Sequence, residues 1–240
     1  MTQADLTQLR NPPPGLSRKQ IMILDGIRYA VEIAQVAYDR LYDTLMSWKG
    51  LESQSSSTAF ATAIADAWTI IDSTHRFSDL VENLPGLPNA PWRRLLATNG
   101  RDALDLRDCV QHQLGELAEL VQNGGQIWGY LSWAEITDHR YSGRWLMMSP
   151  GSYFVGDKWL FIGPRVLPYY VPPGRIRLNA FGRQVYLGRN VALMQSAAGE
   201  LARVLANGEV QPRGPAATDR RGMDEVMSGS VEVLISNPDE

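Results

Sequence analysis

The sequence predicts an α+β fold: an N-terminal antiparallel helical bundle, then a small antiparallel β-rich module closed by a helix. Two observations carry this expectation. Up to about residue 125, apolar side chains recur every three or four positions over long stretches, the period of amphipathic helices. After Asn123-Gly124-Gly125 the pattern breaks into short apolar and aromatic runs separated by turn residues, as in strands.

Pro12-Pro13-Pro14-Gly15 closes a short N-terminal arm, and Ser17-x-x-Gln20 reads as a capping box that opens the first long helix. Its apolar seam runs through Leu24, Ile27, Val31, Ala34, Tyr38, Leu41, Leu45 and Trp48, ending near Lys49-Gly50. A polar loop from Glu52 to Ser57 leads to a second long helix from about Thr58, striped by Phe60, Ile64, Ala67, Trp68, Ile71, Phe77, Leu80 and Val81. Pro85-Gly86-Leu87-Pro88 stops it. A short helical piece is expected around Trp92 to Leu96, broken by Asn99-Gly100. The third long helix is expected over roughly Arg101 to Gln122, with Ala103, Leu106, Val110, Leu114, Leu117 and Val121 facing inward.

Beyond it, candidate strands are Gln126–Trp133, Trp145–Met148, Ser152–Val155, Lys158–Ile162, Arg175–Asn179 and Gln184–Leu187, with a hairpin turn at Val155-Gly156-Asp157-Lys158. Leu167 to Gly174, with three prolines, reads as an extended loop or edge. Asn190 is the expected cap of a helix reaching about Leu205, with Val191, Met194, Ala198 and Leu201 along one face. The domain boundaries that follow are an arm over 1–16, a helical domain over 17–125, a β-rich module with its C-terminal helix over 126–206, and a flexible tail over 207–240.

Composition narrows the function classes. One cysteine among 240 residues excludes a disulfide framework and fits a reducing compartment. No secretory leader or membrane-length apolar run is read, so a cytoplasmic protein with no membrane partner is expected. Three scattered histidines and one cysteine offer no zinc-ligand spacing, and no phosphate-binding loop is present; neither metal nor cofactor is expected. The net charge is −3 but unevenly spread. Residues 1–125 carry 11 basic against 15 acidic side chains, whereas residues 134–190 carry eight against three. A locally basic module on an acidic protein suits a polyanion as well as it suits a solvated sheet face.

The segment Leu106-Arg107-Asp108-Cys109-Val110-Gln111-His112 holds the chemistry. Two residues past Val110, His112 is expected about 200° around the helix from the core stripe. Asp108 lies four residues before it on the same face, and Arg107 on the flank. An imidazole moves a proton near neutral pH, and a guanidinium grips phosphate and steadies the charge developing on it. Arg107, Asp108 and His112 therefore read as a catalytic set.

At this point the chain resembles the HEPN family, whose signature is Arg, a polar residue, then His after four to six intervening positions. The resemblance covers about residues 17–125. It implies a dimer through the helical domain in which two motif helices share one cleft, and metal-independent cleavage of RNA in toxin–antitoxin or anti-phage systems. It further implies that Arg107 grips the scissile phosphate while His112 performs acid–base transfer. Some members are silent scaffolds. Asp108 departs from the asparagine frequent there, and Leu114 stands where a subgroup carries tyrosine.

Other polar residues frame this set. Asp72–Arg76 and His75–Asp79 are i,i+4 pairs that surface salt bridges explain, yet antiparallel packing of the second and third helices would bring Arg76 beside Arg107. Arg175 and Arg177 alternate with Asn179 on one strand, and with Arg183 they are the expected nucleic-acid contacts. The aromatics around them, Trp145, Tyr153, Trp159, Tyr169, Tyr170 and Tyr186, read first as core of a small sheet and second as stacking platforms for single strands. Three functions are thus open: an RNA-cleaving effector, a non-catalytic helical scaffold that assembles a larger complex, or a small-molecule sensing domain between helical hairpin and sheet; a protein partner or antitoxin is a further expectation.

Overall fold

The computed structural model describes residues 6–47, 57–111, 127–136, 142–148, 162–166 and 176–213. The protein is mainly helical with one small antiparallel sheet. Its helices are α1 (Thr7–Arg10), α2 (Arg18–Ser47), α3 (Ser57–Glu82), α4 (Pro91–Asn99), α5 (Arg101–Gln111) and α6 (Leu187–Ala206). The strands β1 (Tyr130–Ile136), β2 (Ser142–Met148), β3 (Ile162–Val166), β4 (Ile176–Ala180) and β5 (Arg183–Tyr186) lie in the order β3-β2-β1-β4-β5, every neighbouring pair antiparallel. Among the described residues no helix is long and apolar enough to cross a membrane.

The capping box forms. The Ser17 amide donates to Gln20 Oε1 at 2.9 Å, and the Gln20 amide donates to Ser17 Oγ at 3.3 Å, so two of the first free amides of α2 are satisfied. From Leu24 to Leu45 the predicted seam is buried, and it packs on Ile64, Ala67, Ile71, Phe77 and Val81 of α3. Gly26 lets the two helices approach closely: a β-carbon there would stand 3.0 Å from a Leu80 methyl. Fully buried Asp66 accepts from Arg40 Nε at 2.9 Å, a charged clasp between α2 and α3. Pro91 starts α4, where its missing amide is no loss.

Several boundaries differ from the sequence expectation, each for a local reason. The arm carries the turn α1, whose buried Leu9 docks it against α2 and α6. The short helical piece extends over Pro91–Asn99. β1 begins at Tyr130, not Gln126, because Gly129 takes φ +69° and its backbone lies against Asn179; a β-carbon would sit 2.3 Å from that carbonyl oxygen. β4 ends one residue later than expected, at a tight hairpin whose central Phe181 and Gly182 both have positive φ. Asn190 is not the cap of α6. The helix emerges directly from β5 at Leu187, and Asn190 Nδ2 instead donates to the Tyr186 carbonyl at 3.1 Å. The strand expected over Ser152–Val155, all but the last residue of the strand expected over Lys158–Ile162, the hairpin turn at 155–158, the loop at Leu167 to Gly174, and the helix beyond Gln111 fall outside the described residues; Ile162 itself lies in β3.

One core serves helices and sheet together. Leu131 and Trp133 of β1 stand opposite Leu178 and Ile176 of β4, and Leu178 opposite Val185 of β5, all buried. α6 packs against β4 and also against α1, α2, α3 and α4, with Val191, Met194, Ala198, Leu201 and Leu205 inward. The tail expected to be flexible from 207 is held at its start. Val210 is buried, the Gln211 amide donates to the Gly86 carbonyl at 3.0 Å, and Gln20 Nε2 donates to the Gln211 carbonyl at 2.9 Å. Residues 214–240 lie outside the described residues.

Candidate functional site

α5 packs against α3, and the two run antiparallel: Gly100, just before α5, lies beside Ser78, while Arg107 further along reaches back to Asp72. Ala103 and Leu106 face inward and are fully buried. This fixes the rotation of α5. Arg107 falls on the flank, 27% exposed, and Asp108 faces out, 61% exposed. Both orientations match the wheel drawn from the sequence.

The flank of α5 meets a polar row on α3. Arg76 Nε donates to Asp72 Oδ2 at 2.6 Å, and Arg107 Nε lies 3.8 Å from the other oxygen of the same carboxylate. Asp72 therefore stands between two guanidiniums from two helices. One turn along α3, the His75 imidazole is bracketed by carboxylates, with Nδ1 3.1 Å from Asp79 Oδ2 and Nε2 3.9 Å from Asp108 Oδ1. His75 is largely shielded, whereas Arg76 is 70% exposed. Hydrogen bonding to Asp72 raises the Arg76 guanidinium above its usual range, so it stays charged at any working pH.

A pair of guanidiniums set this way can accept an anion. Two guanidiniums already converge on one point, and a phosphate could engage both at the cost of the Asp72 contact. The carboxylates Asp72, Asp79 and Asp108 oppose that binding in the same space, so affinity for a polyanion depends on what displaces Asp72.

The sequence-expected residues divide as follows. Arg107, Asp108 and Arg76 come together at the α3–α5 groove. His112 lies outside the described residues, as does Arg175. Arg177 and Arg183 sit elsewhere and have partners within the chain. The Arg177 guanidinium lies over the Tyr186 ring, 4.5 Å from its centroid, across the β4–β5 pair. Arg183 Nη1 donates to Asp105 Oδ2 at 2.9 Å and so ties β5 to α5; Asp105 is also paired with Arg101 at 2.8 Å. Asn179, expected beside Arg177 on a basic face, is buried. Its Nδ2 donates to Ser132 Oγ at 3.2 Å, and its Oδ1 accepts from Gln184 at 2.9 Å. The visible part of that strand face is thus a polar ladder with one stacked arginine, not an open row of cations.

His75 is the residue whose setting the sequence did not give. Its i,i+4 relation to Asp79 was legible, but its approach to Asp108 comes only from helix packing. Comparison of the chain with family models, with curated proteins and with solved structures finds no match.

Proposed function

We propose that this chain acts on RNA as a metal-independent endoribonuclease or an effector derived from one, of the HEPN type, in toxin–antitoxin or anti-phage defence. What carries the reading is the orientation of α5, which buries Ala103 and Leu106 and turns Arg107 toward a second guanidinium, that of Arg76, across one carboxylate. In the reaction, Arg107 with Arg76 holds the scissile phosphate and stabilises the charge on its non-bridging oxygens. His112 takes the proton from the adjacent 2′-hydroxyl, whose oxygen bonds to phosphorus as the bond from phosphorus to the 5′-oxygen breaks; the departing 5′-oxygen takes a proton from water, and His112 releases its own to solvent. A strand ending in a 2′,3′-cyclic phosphate and one beginning with a 5′-hydroxyl result. Because the nucleophile is the 2′-hydroxyl, DNA is not cut. Arg177 and Arg183 add positive charge only where RNA competes with Tyr186 and Asp105.

The test is cleavage of single-stranded RNA in EDTA. The wild-type chain cuts; Arg107→Ala and His112→Ala each reduce the rate by two orders of magnitude or more, as loss of a positioned acid–base or charge-stabilising group does. Activity that survives both substitutions ends the proposal.

A second reading, a non-catalytic assembly protein, is favoured by a separate observation: α2 exposes Met22, Tyr29, Ile33 and Val36.

A further inference from the structure

Two aspartates of α3 are paired with arginines, and they differ in what the pairing does. Asp66 is fully buried and accepts from Arg40 of α2, so that contact belongs to the fold. Asp72 is 44% exposed, and the guanidiniums it meets, those of Arg76 and Arg107, also reach the surface. An ion pair this open adds little to stability.

Its geometry is that of a ligand. The two oxygens of Asp72 face two guanidiniums from two helices: Oδ2 accepts from Arg76 Nε at 2.6 Å, and Oδ1 lies 3.8 Å from Arg107 Nε. Among the described residues Asp72 is the only charged partner of either arginine. The neighbouring carboxylates are turned to another group, since Asp79 and Asp108 face the two nitrogens of His75. A planar anion with one oxygen for each of two guanidiniums is how such groups also take a phosphate. Asp72 therefore holds the place a phosphate would take. Because it is joined to Arg76 through one turn of helix, it returns to that place at a high effective concentration.

We propose that Asp72 is a built-in competitor of the phosphate: it fills the clamp of Arg76 and Arg107 in the free protein, is expelled when a nucleic-acid phosphate binds, and so sets the affinity of the site. The expelled carboxylate turns to solvent, which its exposure permits with the helices in place. Asp72 touches the arginines and not the reacting atoms, so it is a positioning residue. That the phosphate belongs to RNA rests on the ribonuclease reading; the competition for the two arginines does not.

Binding of a short oligodeoxythymidine, followed by fluorescence anisotropy at about 0.15 M salt, tests it. This strand carries the phosphates and lacks the 2′-hydroxyl, so it stays uncut. Asp72→Asn removes the charge and keeps the shape, and it should bind about tenfold tighter than the wild type. Asp72→Glu keeps a carboxylate and should bind as the wild type does. Asp79→Asn removes the same charge from beside His75, and it should gain no more than about twofold, because salt screens a charge outside the clamp. Adding Arg76→Ala to Asp72→Asn should abolish the gain. Equal gains from Asp72→Asn and Asp79→Asn would reveal a bulk charge effect and overturn the inference. No gain from Asp72→Asn, or a gain that persists without Arg76, overturns it too. The ribonuclease reading is judged separately: a wild type that leaves RNA intact in EDTA ends that reading, while a gain confined to Asp72→Asn still upholds the competition.

Discussion

Gln20 joins three separated stretches of chain, around residues 17–20, 85 and 211–213, through one buried side-chain amide. Its Oε1 accepts from the Ser17 amide and the Arg213 amide, while its Nε2 donates to the Pro85 and Gln211 carbonyls, both at 2.9 Å. Replacing it by alanine removes the side-chain half of the capping box and leaves the half-buried Pro85 carbonyl and the exposed Gln211 carbonyl without that donor. Each such hydrogen bond contributes about 0.5–1.5 kcal/mol net. Gln20→Ala should therefore destabilise by about 2 kcal/mol in urea unfolding, and trypsin should then cut readily at Arg213. Gln20→Glu keeps the acceptor but not the donor, so it should rescue little. A loss below about 0.5 kcal/mol for the alanine variant would mean that the tail contacts contribute nothing. The Ser17–Gln20 box was legible because both residues stand three apart in the sequence. The partners at Pro85 and Gln211 were not, because no local pattern encodes a contact across 191 positions.

At the scale of elements, the helices were readable and the sheet much less so. The described stripes of α2 and α6 are buried as their periodicity requires, and so is that of α3 apart from the half-buried Phe60, Trp68 and Leu80, since a 3.6-residue period survives any packing partner. The strand limits moved by up to four residues, because a positive-φ glycine at 129 and a direct passage from β5 into α6 set them, and neither has a periodic signature. Likewise the wheel of α5 gave Arg107 and Asp108 their directions, but the carboxylate between Arg76 and Arg107 appeared only on folding. The rotation of α5 yields a contrast. Leu106→Ala, at a fully buried site, should cost about 2–5 kcal/mol, whereas Arg107→Ala, on the partly exposed flank, should cost under about 1 kcal/mol. Urea unfolding of both variants measures this. Equal losses would place the helix in a different rotation.

For the whole molecule, the decisive feature is that α6 returns to the helices. The boundary at residue 125 separates helical from strand-forming sequence, yet α6 fills the space among α1, α2, α3 and α4, and the core runs unbroken into β1 and β4. A fragment of residues 1–125 should therefore lack a cooperative thermal transition, because it exposes the surfaces that Val191, Met194, Ala198 and Leu201 cover. A sharp transition in that fragment would show that the first 125 residues close a core of their own.

The functional account asks one thing of this architecture: that the outward flank of the Arg107 helix works on phosphodiesters without a metal. Incubating the purified chain with single-stranded RNA in excess EDTA, beside Arg107→Ala and His112→Ala, measures that directly. The account predicts cleavage by the wild type that leaves 2′,3′-cyclic phosphate ends, and loss of a hundredfold or more in each variant at unchanged thermal stability. Intact RNA with the wild type, or equal cleavage by all three proteins, would contradict it.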